Sequence, residues 1–594
     1  MSTTLPLNLS LLFRTLAPLR WEQFVYRPLR VAQFRAYRTF PSFAARWKEF
    51  TNQVTPAPFV ATIRTVFENS FVHLHTESDW ERLRNNQFTF LNHTLELPDI
   101  DWNRRYESHL WNYQFHYFHY TLGCARDFVR GDAAPMRHNQ KLIERWIAQA
   151  RIGQSDGWDA YPISLRVVNW MYAYALLADR YDDQAFLARW RTSLYQQLAF
   201  LHEHLEYHLL ANHLLKNAKA LVIGGLFFAD DPRGQQWLAA GEQLLWREFE
   251  EQVLEDGGHY ERSPMYHALC CADFLECFAL LREFKTQRGI AWEGASASSI
   301  AAKLQAMVRF LRAMSYADGT LALFNDSGNS EEARPLPLLE AAARILGIDV
   351  QSYAPAFPET GYYLWLSPDE QERIIVDAGP PAVAYNLAHA HCDLLSYELR
   401  FDGEPFIVDS GVHGYGGDTF REYSRSTRAH NTVMFDGREQ SEVWGTFRMG
   451  HTAELLDVET RSDEQTWEFR GAYRPFYDRS LTHERRIQRS SDGIWKIEDR
   501  VLSGNVEQAQ SFIHLHPNVI TKQNDDLSIE CQIGSRRVLI RSLGAIGVEV
   551  IKGQQTPAQG WYFPDFGVAQ SSFAICFTYP VKEAASFGYL ICPL

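Results

Sequence analysis

The sequence predicts a multidomain protein in which a large helical region precedes a strand-rich region. From about residue 56 to 350 the apolar residues recur at helical spacing, and after about residue 360 they alternate with a period of two. Strands do not alternate with helices, which argues against a parallel α/β sheet and for two separate structural units. We therefore divide the chain into a basic arm (1–55), a helical domain (56–360) and a sheet domain (361–594).

The helical domain contains several segments whose apolar residues share one face, separated by short polar or glycine-rich breaks. The spacing predicts about ten or more helices, with Gly224-Gly225 and Gly257-Gly258 as two of the breaks. The clearest predicted helices cover 142–150, 164–178, 238–254, 266–284 and 298–314.

The sheet domain contains short alternating segments typical of antiparallel strands. Residues 395–401 and 493–499 alternate clearly, and Asp402-Gly403 predicts a tight hairpin after the first of them. Further strands are expected at 537–541 and 574–579. No fixed-period repeat and no low-complexity tract are visible.

Composition and charge exclude several classes of protein. The 594 residues are 46% hydrophobic with a net charge of −14, so the chain is neither disordered nor a general nucleic-acid binder. Residues 1–50 carry eight basic and two acidic residues, a net charge of +6 that leaves −20 elsewhere. This arm either packs on the main body or forms a basic surface for a membrane or an acidic glycan.

The cysteines and the N-terminus indicate a reducing compartment. Eight sparse cysteines without a Cys-x-x-Cys pair predict buried thiols rather than disulfides. We recognise no signal peptide and no uninterrupted apolar run long enough to span a membrane. We therefore expect a cytoplasmic or membrane-peripheral protein, with a periplasmic or secreted location left open.

Four segments concentrate titratable, polar and aromatic residues. Three lie in the helical domain, at 158–170, 211–219 and 256–267, and the fourth comprises 389–393, Asp409 and 425–432. In the third segment, Pro264 suits a first helical position, so Tyr266 is expected near the positive end of a helix, which favours a phenolate. The His-x-His pair of the fourth segment, with a carboxylate, is a plausible zinc set. Each segment taken alone is also compatible with a purely structural role.

Five stretches in these segments resemble the heparinase II/III family of bacterial polysaccharide lyases, in the order typical of that family. They are WDAYPISLRVVNW, NHLLKNAKAL, DGGHYERSPMYH, HAHCDLLSYELRFDGEPFIVDSG and RSTRAHNTV. The resemblance implies an incomplete (α/α) toroid followed by an antiparallel β-sandwich. It also implies β-elimination at a uronic acid, with loss of the C5 proton and of the C4 oxygen.

The resemblance assigns catalytic roles to four residues. Asn212, with His213 assisting, matches the position that neutralises the uronate carboxylate, as neutral donors do for a developing enolate. Tyr266 matches the catalytic tyrosine, with Tyr260 as a competing candidate. His389 matches a second base or neutraliser, and which of Tyr266 and His389 removes the proton stays open.

The resemblance also implies binding residues. By similarity, His391, Asp409 and His430 could hold a structural zinc or another divalent metal, and no organic cofactor is expected. We expect substrate contacts from a further set of residues: Arg166, Asn169, Trp170, Tyr260, Glu261 and Arg425. A tight turn at Asp402-Gly403 places Asp409 far from His391 on a flat strand pair, so that metal pair requires a bend.

Alternatives to a lyase remain open on the sequence alone. A non-catalytic glycan-binding or polysaccharide-biosynthesis protein would keep the same fold. A toroid glycoside hydrolase would need two carboxylates about 5–10 Å apart, for which Asp256 and Glu261 are candidates. The expected partner is an acidic polysaccharide or oligosaccharide and not nucleic acid, and the oligomeric state stays open, with a dimer as one option.

Overall fold

The computed structural model describes residues 9–47, 55–71, 79–292, 294, 296–330, 333–463, 465–581 and 586–594. Helices dominate the part of the chain before residue 350. They are α1 (Leu9–Leu16), α2 (Trp21–Thr39), α3 (Pro41–Ala45), α4 (Val60–Val66), α5 (Trp80–Leu83), α6 (His109–Tyr117), α7 (Tyr120–Val129), α8 (Ala134–Gln149), α9 (Ala160–Leu177), α10 (Gln184–Glu203), α11 (Ala211–Phe227), α12 (Pro232–Gln252), α13 (Pro264–Arg288), α14 (Ala297–Met314), α15 (Pro335–Leu346) and, in the second region, α16 (Thr419–Arg425).

The long helices pack against their neighbours in sequence, as an (α/α) toroid requires. Helix α9 lies against α7, α10 and α11, and α11 in turn contacts α12 and α13. Both α9 and α11 are buried almost all round, so they form the centre of the layer rather than an amphipathic rim. The five predicted helices correspond to α8, α9, α12, α13 and α14; each begins one to eight residues earlier than predicted, and α8, α9 and α12 also end one or two residues earlier.

Strands dominate the part of the chain after residue 350. A hairpin, β1 (Gln87–Phe90) and β2 (His93–Glu96), stands alone among the helices. The others are β3 (Ala356–Phe357), β4 (Tyr362–Leu366), β5 (Glu372–Asp377), β6 (Ser396–Phe401), β7 (Glu404–Ile407), β8 (Val433–Phe435), β9 (Val443–Trp444), β10 (Arg448–Met449), β11 (Glu454–Ser462), β12 (Trp467–Arg474), β13 (Thr482–Arg489), β14 (Trp495–Ser503), β15 (Gln508–His514), β16 (Ile520–Gln523), β17 (Ile529–Ile533), β18 (Arg536–Leu543), β19 (Gly547–Lys552), β20 (Gln554–Gln555), β21 (Ala558–Gln559), β22 (Trp561–Tyr562), β23 (Gln570–Ser571), β24 (Phe573–Pro580) and β25 (Ser586–Pro593).

The three largest antiparallel sheets among the described residues build most of the second region. Their strand orders are β3-β4-β5-β6-β7, β19-β24-β15-β8 and β11-β12-β13-β14-β25-β18-β17-β16. Side chains of all three sheets share a buried cluster, which is the core of a sandwich. Asp402 and Gly403 both have positive φ, 54° and 78°, so the hairpin between β6 and β7 has the conformation that Asp-Gly predicts.

The Gly224-Gly225 pair does not break a helix, so that prediction was wrong. Both glycines lie inside α11, and a Cβ on either would come within 2.5 Å of Leu198 or Leu238 on the neighbouring helices. The pair therefore allows close helix packing instead of a turn. Sequence periodicity does not distinguish these two uses of glycine.

The cysteines follow the prediction of free, mostly buried thiols. All eight cysteines are free, and seven of them are buried. Among the described residues, α13 is the one helix long and apolar enough to be considered for a membrane span. Of the most apolar 18-residue segment of that helix, 83% is buried inside the protein, as in a core helix.

Candidate active site

Asn212 lies in the first turn of α11 after a strained stretch of backbone. Leu210 and Ala211 have φ of 64° and 51°, which side chains other than glycine rarely adopt. This turn directs the Asn212 amide to Glu261, with its Nδ2 3.4 Å from Oε2. His213, about one third exposed, has its Nδ1 3.3 Å from a carboxylate oxygen of Glu206.

The turn before α13 is anchored to the sheet region. Asp256 accepts hydrogen bonds from the backbone N–H and the hydroxyl of Thr360, at 2.8 and 2.6 Å. A Cβ at Gly258 would lie 1.8 Å from the same hydroxyl, so only glycine fits. Ser263 then caps α13 by accepting from the Tyr266 backbone N–H. The DGG turn therefore ties the helical region to β4.

Tyr266 is the tyrosine that the site presents. Its hydroxyl is 2.9 Å from the hydroxyl of Tyr415, and its ring centroid is 4.1 Å from that of His389. Burial raises the pKa of Tyr266 well above its usual value, although the hydrogen bond with Tyr415 opposes this. The expected bias toward a phenolate is therefore reversed, and Tyr266 is a neutral phenol that can donate a proton.

Asp326 organises the histidine side of the site. One carboxylate oxygen is 2.8 Å from His389 Nδ1 and the other is 2.8 Å from His391 Nε2. Arg421 adds a two-pronged ion pair to the same carboxylate. Burial alone would raise the pKa of Asp326, but Arg421 and the two histidines outweigh it and hold that pKa well below the usual value.

The charge on Asp326 determines the tautomer of both histidines. A carboxylate is an acceptor only, so the ring nitrogen that faces it must carry a proton. The neutral ring of His389 would therefore have its lone pair at Nε2, and that of His391 would have its lone pair at Nδ1. The Nε2 of His389 lies 3.9 Å from a carboxylate oxygen of Glu261.

Glu261 connects the helical and sheet sides of the site. It accepts hydrogen bonds from the amides of Asn212 and Asn386, at 3.4 and 3.1 Å, and it faces the Nε2 of His389. Its side chain is buried, and burial raises its pKa, with His389 opposing this. Up to 177 positions separate Asn212, Tyr266 and His389 in the sequence. They lie together because Asn212 and His389 both approach Glu261, and the ring of Tyr266 contacts the ring of His389.

A group of buried side chains beside this site could hold a metal ion. His391, Asp393 and His430 each offer an atom within 4.8 Å of the others. His391 Nδ1 and His430 Nε2 are buried and make no hydrogen bond to described residues. Burial raises the pKa of Asp393 to about 6, as expected for a carboxyl that lacks a full counter-charge.

This group of possible metal ligands differs from the predicted one in a single residue. Asp409 accepts from His430 Nδ1 at 2.8 Å, which leaves the opposite ring nitrogen toward the group. Carboxylates commonly orient metal-binding histidines in this way. Asp393, rather than Asp409, completes the group with His391 and His430. The pairing of β6 with β7 shifts register between Leu399 and Arg400, which is an irregularity of the kind that the sequence required.

Three predicted substrate residues on α9 lie in the helical core instead. The Arg166 guanidinium donates to Gln197 and to the carbonyls of His116 and Gly157, and it is fully buried. Asn169 donates to a backbone carbonyl, and Trp170 is fully buried among aromatic rings. Their common helical face, which suggested a cleft, is the face on which the toroid packs.

The other three residues predicted to contact substrate are also buried. Arg425 is buried and donates only to backbone carbonyls, including that of Ala390. It thereby supports the loop that carries His389 and His391. Tyr260 is 2% exposed, and Glu261 acts beneath the site rather than on its surface.

The two carboxylates suggested for a glycoside hydrolase both make contacts within the protein. Asp256 accepts hydrogen bonds from Thr360, and the described partners of Glu261 are two amides and two histidines. Four residues of the site were missed by the sequence reasoning: Asp326, Asn386, Tyr415 and Arg421. Asn325-Asp326-Ser327 begins a polar stretch directly after the apolar residues 321–324, which was the one available signal for Asp326.

Comparisons with known proteins agree with this architecture. A family model described as Heparinase II/III N-terminus matches residues 78–346, and one described as Heparinase II/III-like, C-terminal, matches residues 350–590. A heparin-sulfate lyase of Pedobacter heparinus is 26% identical over 339 residues, or 54% of this chain and 48% of that protein. A heparin-sulfate lyase of Bacteroides stercoris is 22% identical over 269 residues, 40% and 37% of the two chains. The match thus spans about half or less of these relatives.

Solved structures match over nearly the whole chain. The crystal structure of heparinase III has a TM-score of 0.70 and 16% identity, covering 98% of this chain and 94% of that one. Heparan sulfate lyase HepC from Pedobacter heparinus has a TM-score of 0.57 and 19% identity, covering 98% and 92%. The predicted toroid followed by a sandwich is confirmed by these similarities.

Proposed function

We propose that this chain, which belongs to the heparinase II/III-like family, is a polysaccharide lyase that cleaves an acidic, uronic-acid-containing polysaccharide by β-elimination. The observation that carries the proposal is the convergence of Asn212, Tyr266 and His389. In the reaction a base takes the C5 proton and the C–H electron pair forms the C4–C5 double bond. The C4–O bond breaks, and the leaving oxygen takes a proton.

Each of the three side chains suits one part of this reaction. The Asn212 amide is a neutral donor for the uronate carboxylate, whose negative charge otherwise opposes loss of the C5 proton. His389 has its unprotonated Nε2 available as a base, since Asp326 holds the proton on Nδ1. Tyr266, a phenol with a raised pKa, is suited to protonate the leaving oxygen. A uronate of the opposite C5 configuration would require Tyr266 to act as the base.

We further propose that His391, Asp393 and His430 hold a structural zinc. The two available ring nitrogens and the buried carboxyl form a donor set that zinc accepts. An ion there would supply the missing counter-charge and fix the loop between β5 and β6. That loop also carries His389, so the metal would act on the site through structure.

The test is a lyase assay on a panel of uronate polymers. The panel contains heparan sulfate, because the relatives are named for it, and also unsulfated polymers such as alginate. The latter are included because Arg166 and Arg425 are buried and do not offer charge to sulfates. Formation of the unsaturated product is followed by its ultraviolet absorbance, and reducing ends are measured in parallel.

Two tyrosine variants provide a matched comparison. Tyr266→Phe should lower kcat by about 10²–10⁴-fold, because it removes the proposed proton donor. Tyr260→Phe, which removes a hydroxyl from a buried tyrosine six positions earlier, should keep near-normal activity. Reducing ends without absorbance would indicate a hydrolase and refute the proposal. Equal activity of the two variants would refute the assigned role of Tyr266.

A further inference from the structure

Helix α2 presents an apolar face to solvent. Trp21, Phe24, Val25 and Leu29 recur at i, i+3, i+4 and i+8, which places them on one side of the helix. Among the described residues, nine of the seventeen large hydrophobic side chains that are exposed belong to residues 9–43. They are between 42% and 75% exposed: Leu9, Phe13, Trp21, Phe24, Val25, Leu29, Val31, Phe40 and Phe43. We call this set the arm surface.

The opposite face of the arm is docked on the rest of the protein. Arg30 donates to the carbonyls of Glu203 and Leu205, and Tyr37 bonds His204, all in the toroid. Arg14 pairs with Glu442 in the sheet region. The docked side of the arm also buries Tyr37 and Trp47 in the core of the toroid, whereas the arm surface is exposed to solvent.

The charge of the arm is opposite to that of the whole chain. Residues 9–47 carry seven arginines against one glutamate, whereas the complete chain has a net charge of −14. Arg27, Arg35 and Arg38 are exposed beside the apolar side chains of α2. Tryptophan, phenylalanine and aliphatic residues flanked by arginine are the composition of helices that lie in a membrane interface.

We propose that the arm surface docks the protein on an anionic lipid bilayer. The apolar side chains would enter the boundary between head groups and acyl chains, and the exposed arginines would bind the lipid phosphates. A second copy of this chain fits less well, because a symmetric dimer through this surface would bring two strongly positive arms together. An acidic glycan would leave Val25, Leu29 and Val31 without an apolar partner.

The test is co-sedimentation of the full-length protein with vesicles. One set contains phosphatidylcholine alone and the other contains about 30% phosphatidylglycerol, a typical density of anionic lipid for detecting basic segments. The protein should bind the anionic vesicles, and added salt should weaken the binding because it screens the arginines. Phe24→Glu with Leu29→Glu should lower the partition constant about tenfold or more, as should Arg27→Glu with Arg35→Glu.

A matched control variant tests whether the loss of any two exposed apolar side chains would weaken vesicle binding. Ile520→Glu with Ile546→Glu changes two exposed apolar residues of the sheet region and should leave vesicle binding unchanged. Thermal unfolding of each variant verifies that it is folded. Absent binding to anionic vesicles, or equal loss in the control, would overturn the proposal. A dimer in sedimentation that the Phe24 and Leu29 changes abolish would assign the surface to a second copy and also overturn it.

Discussion

Replacing Asp326 by asparagine tests whether one buried carboxylate supports both the stability and the chemistry of the site. Asp326 is fully buried and binds His389, His391 and Arg421. Asparagine keeps the shape but removes the charge, so the Arg421 guanidinium, 1% exposed, would lose its counter-ion. Breaking a buried pair in this way costs about 3–5 kcal/mol of the free energy of unfolding. We expect the midpoint of thermal unfolding to fall by several degrees.

The same change should also disturb the tautomer of His389. Asparagine offers an amide that donates as well as accepts, so the proton is no longer confined to Nδ1. On an identified substrate we expect kcat to fall by about 10²-fold or more, with a smaller change in KM. Asp326→Asn is thus predicted to affect two independent measurements.

A double variant separates the two effects. Adding Arg421→Gln removes the uncompensated charge, so the stability of Asp326→Asn/Arg421→Gln should exceed the value expected from adding the two single changes. Activity should stay low, because the carboxylate next to His389 is still missing. Additive stabilities, or a loss below about 1 kcal/mol for Asp326→Asn, would refute this view of the pair. Recovery of kcat in the double variant would refute the proposed role in positioning His389.

Two further predictions concern the proposed metal group and Asp159, a carboxyl of the helical region that accepts a hydrogen bond from Tyr113. Zinc should co-purify with the wild-type protein, and a chelator should lower the unfolding midpoint of that protein. The variant His430→Ala should lack the metal, and its unfolding midpoint should respond little to the chelator. Metal analysis measures the zinc content, and thermal scans measure the midpoints. Burial raises the pKa of Asp159 to about 7, so the folded protein holds its proton more tightly than the unfolded chain and loses stability as pH rises from about 4 to 7. Asp159→Asn should remove this loss, and parallel slopes of unfolding midpoint against pH for the two proteins would contradict the assignment.

Much of the fold follows from the sequence, because it depends on patterns that local geometry imposes. Helical spacing predicts α12, α13 and α14 closely, and period-two alternation predicts β6 and β14. The hairpin at Asp402-Gly403 follows from the positive φ that these residues tolerate. The exception is Gly224-Gly225, which serves helix packing. Whether a glycine pair breaks a helix or admits a neighbour depends on an element distant in the sequence.

The site is predicted only in part. The motifs supplied Asn212, Tyr266 and His389, and the structure brings them together. The resemblance also suggested Arg166 and Arg425, which the structure buries on internal carbonyls. In a sequence, an arginine beside aromatic residues looks the same whether it binds a ligand or supports the protein interior. The number of protein hydrogen-bond acceptors around its guanidinium decides between these roles.

The sequence by itself determined the order of the two regions, the free thiols and the identity of the three converging side chains. Only the tertiary structure decided that Asp326 sets the histidine tautomers, that Asp393 takes the carboxylate position beside His391, and that the apolar side of the arm faces outward. Local patterns follow from contacts within a few residues. Charge compensation and burial depend on groups that folding brings from 60 or more positions away, as it brings Asp326 to His389.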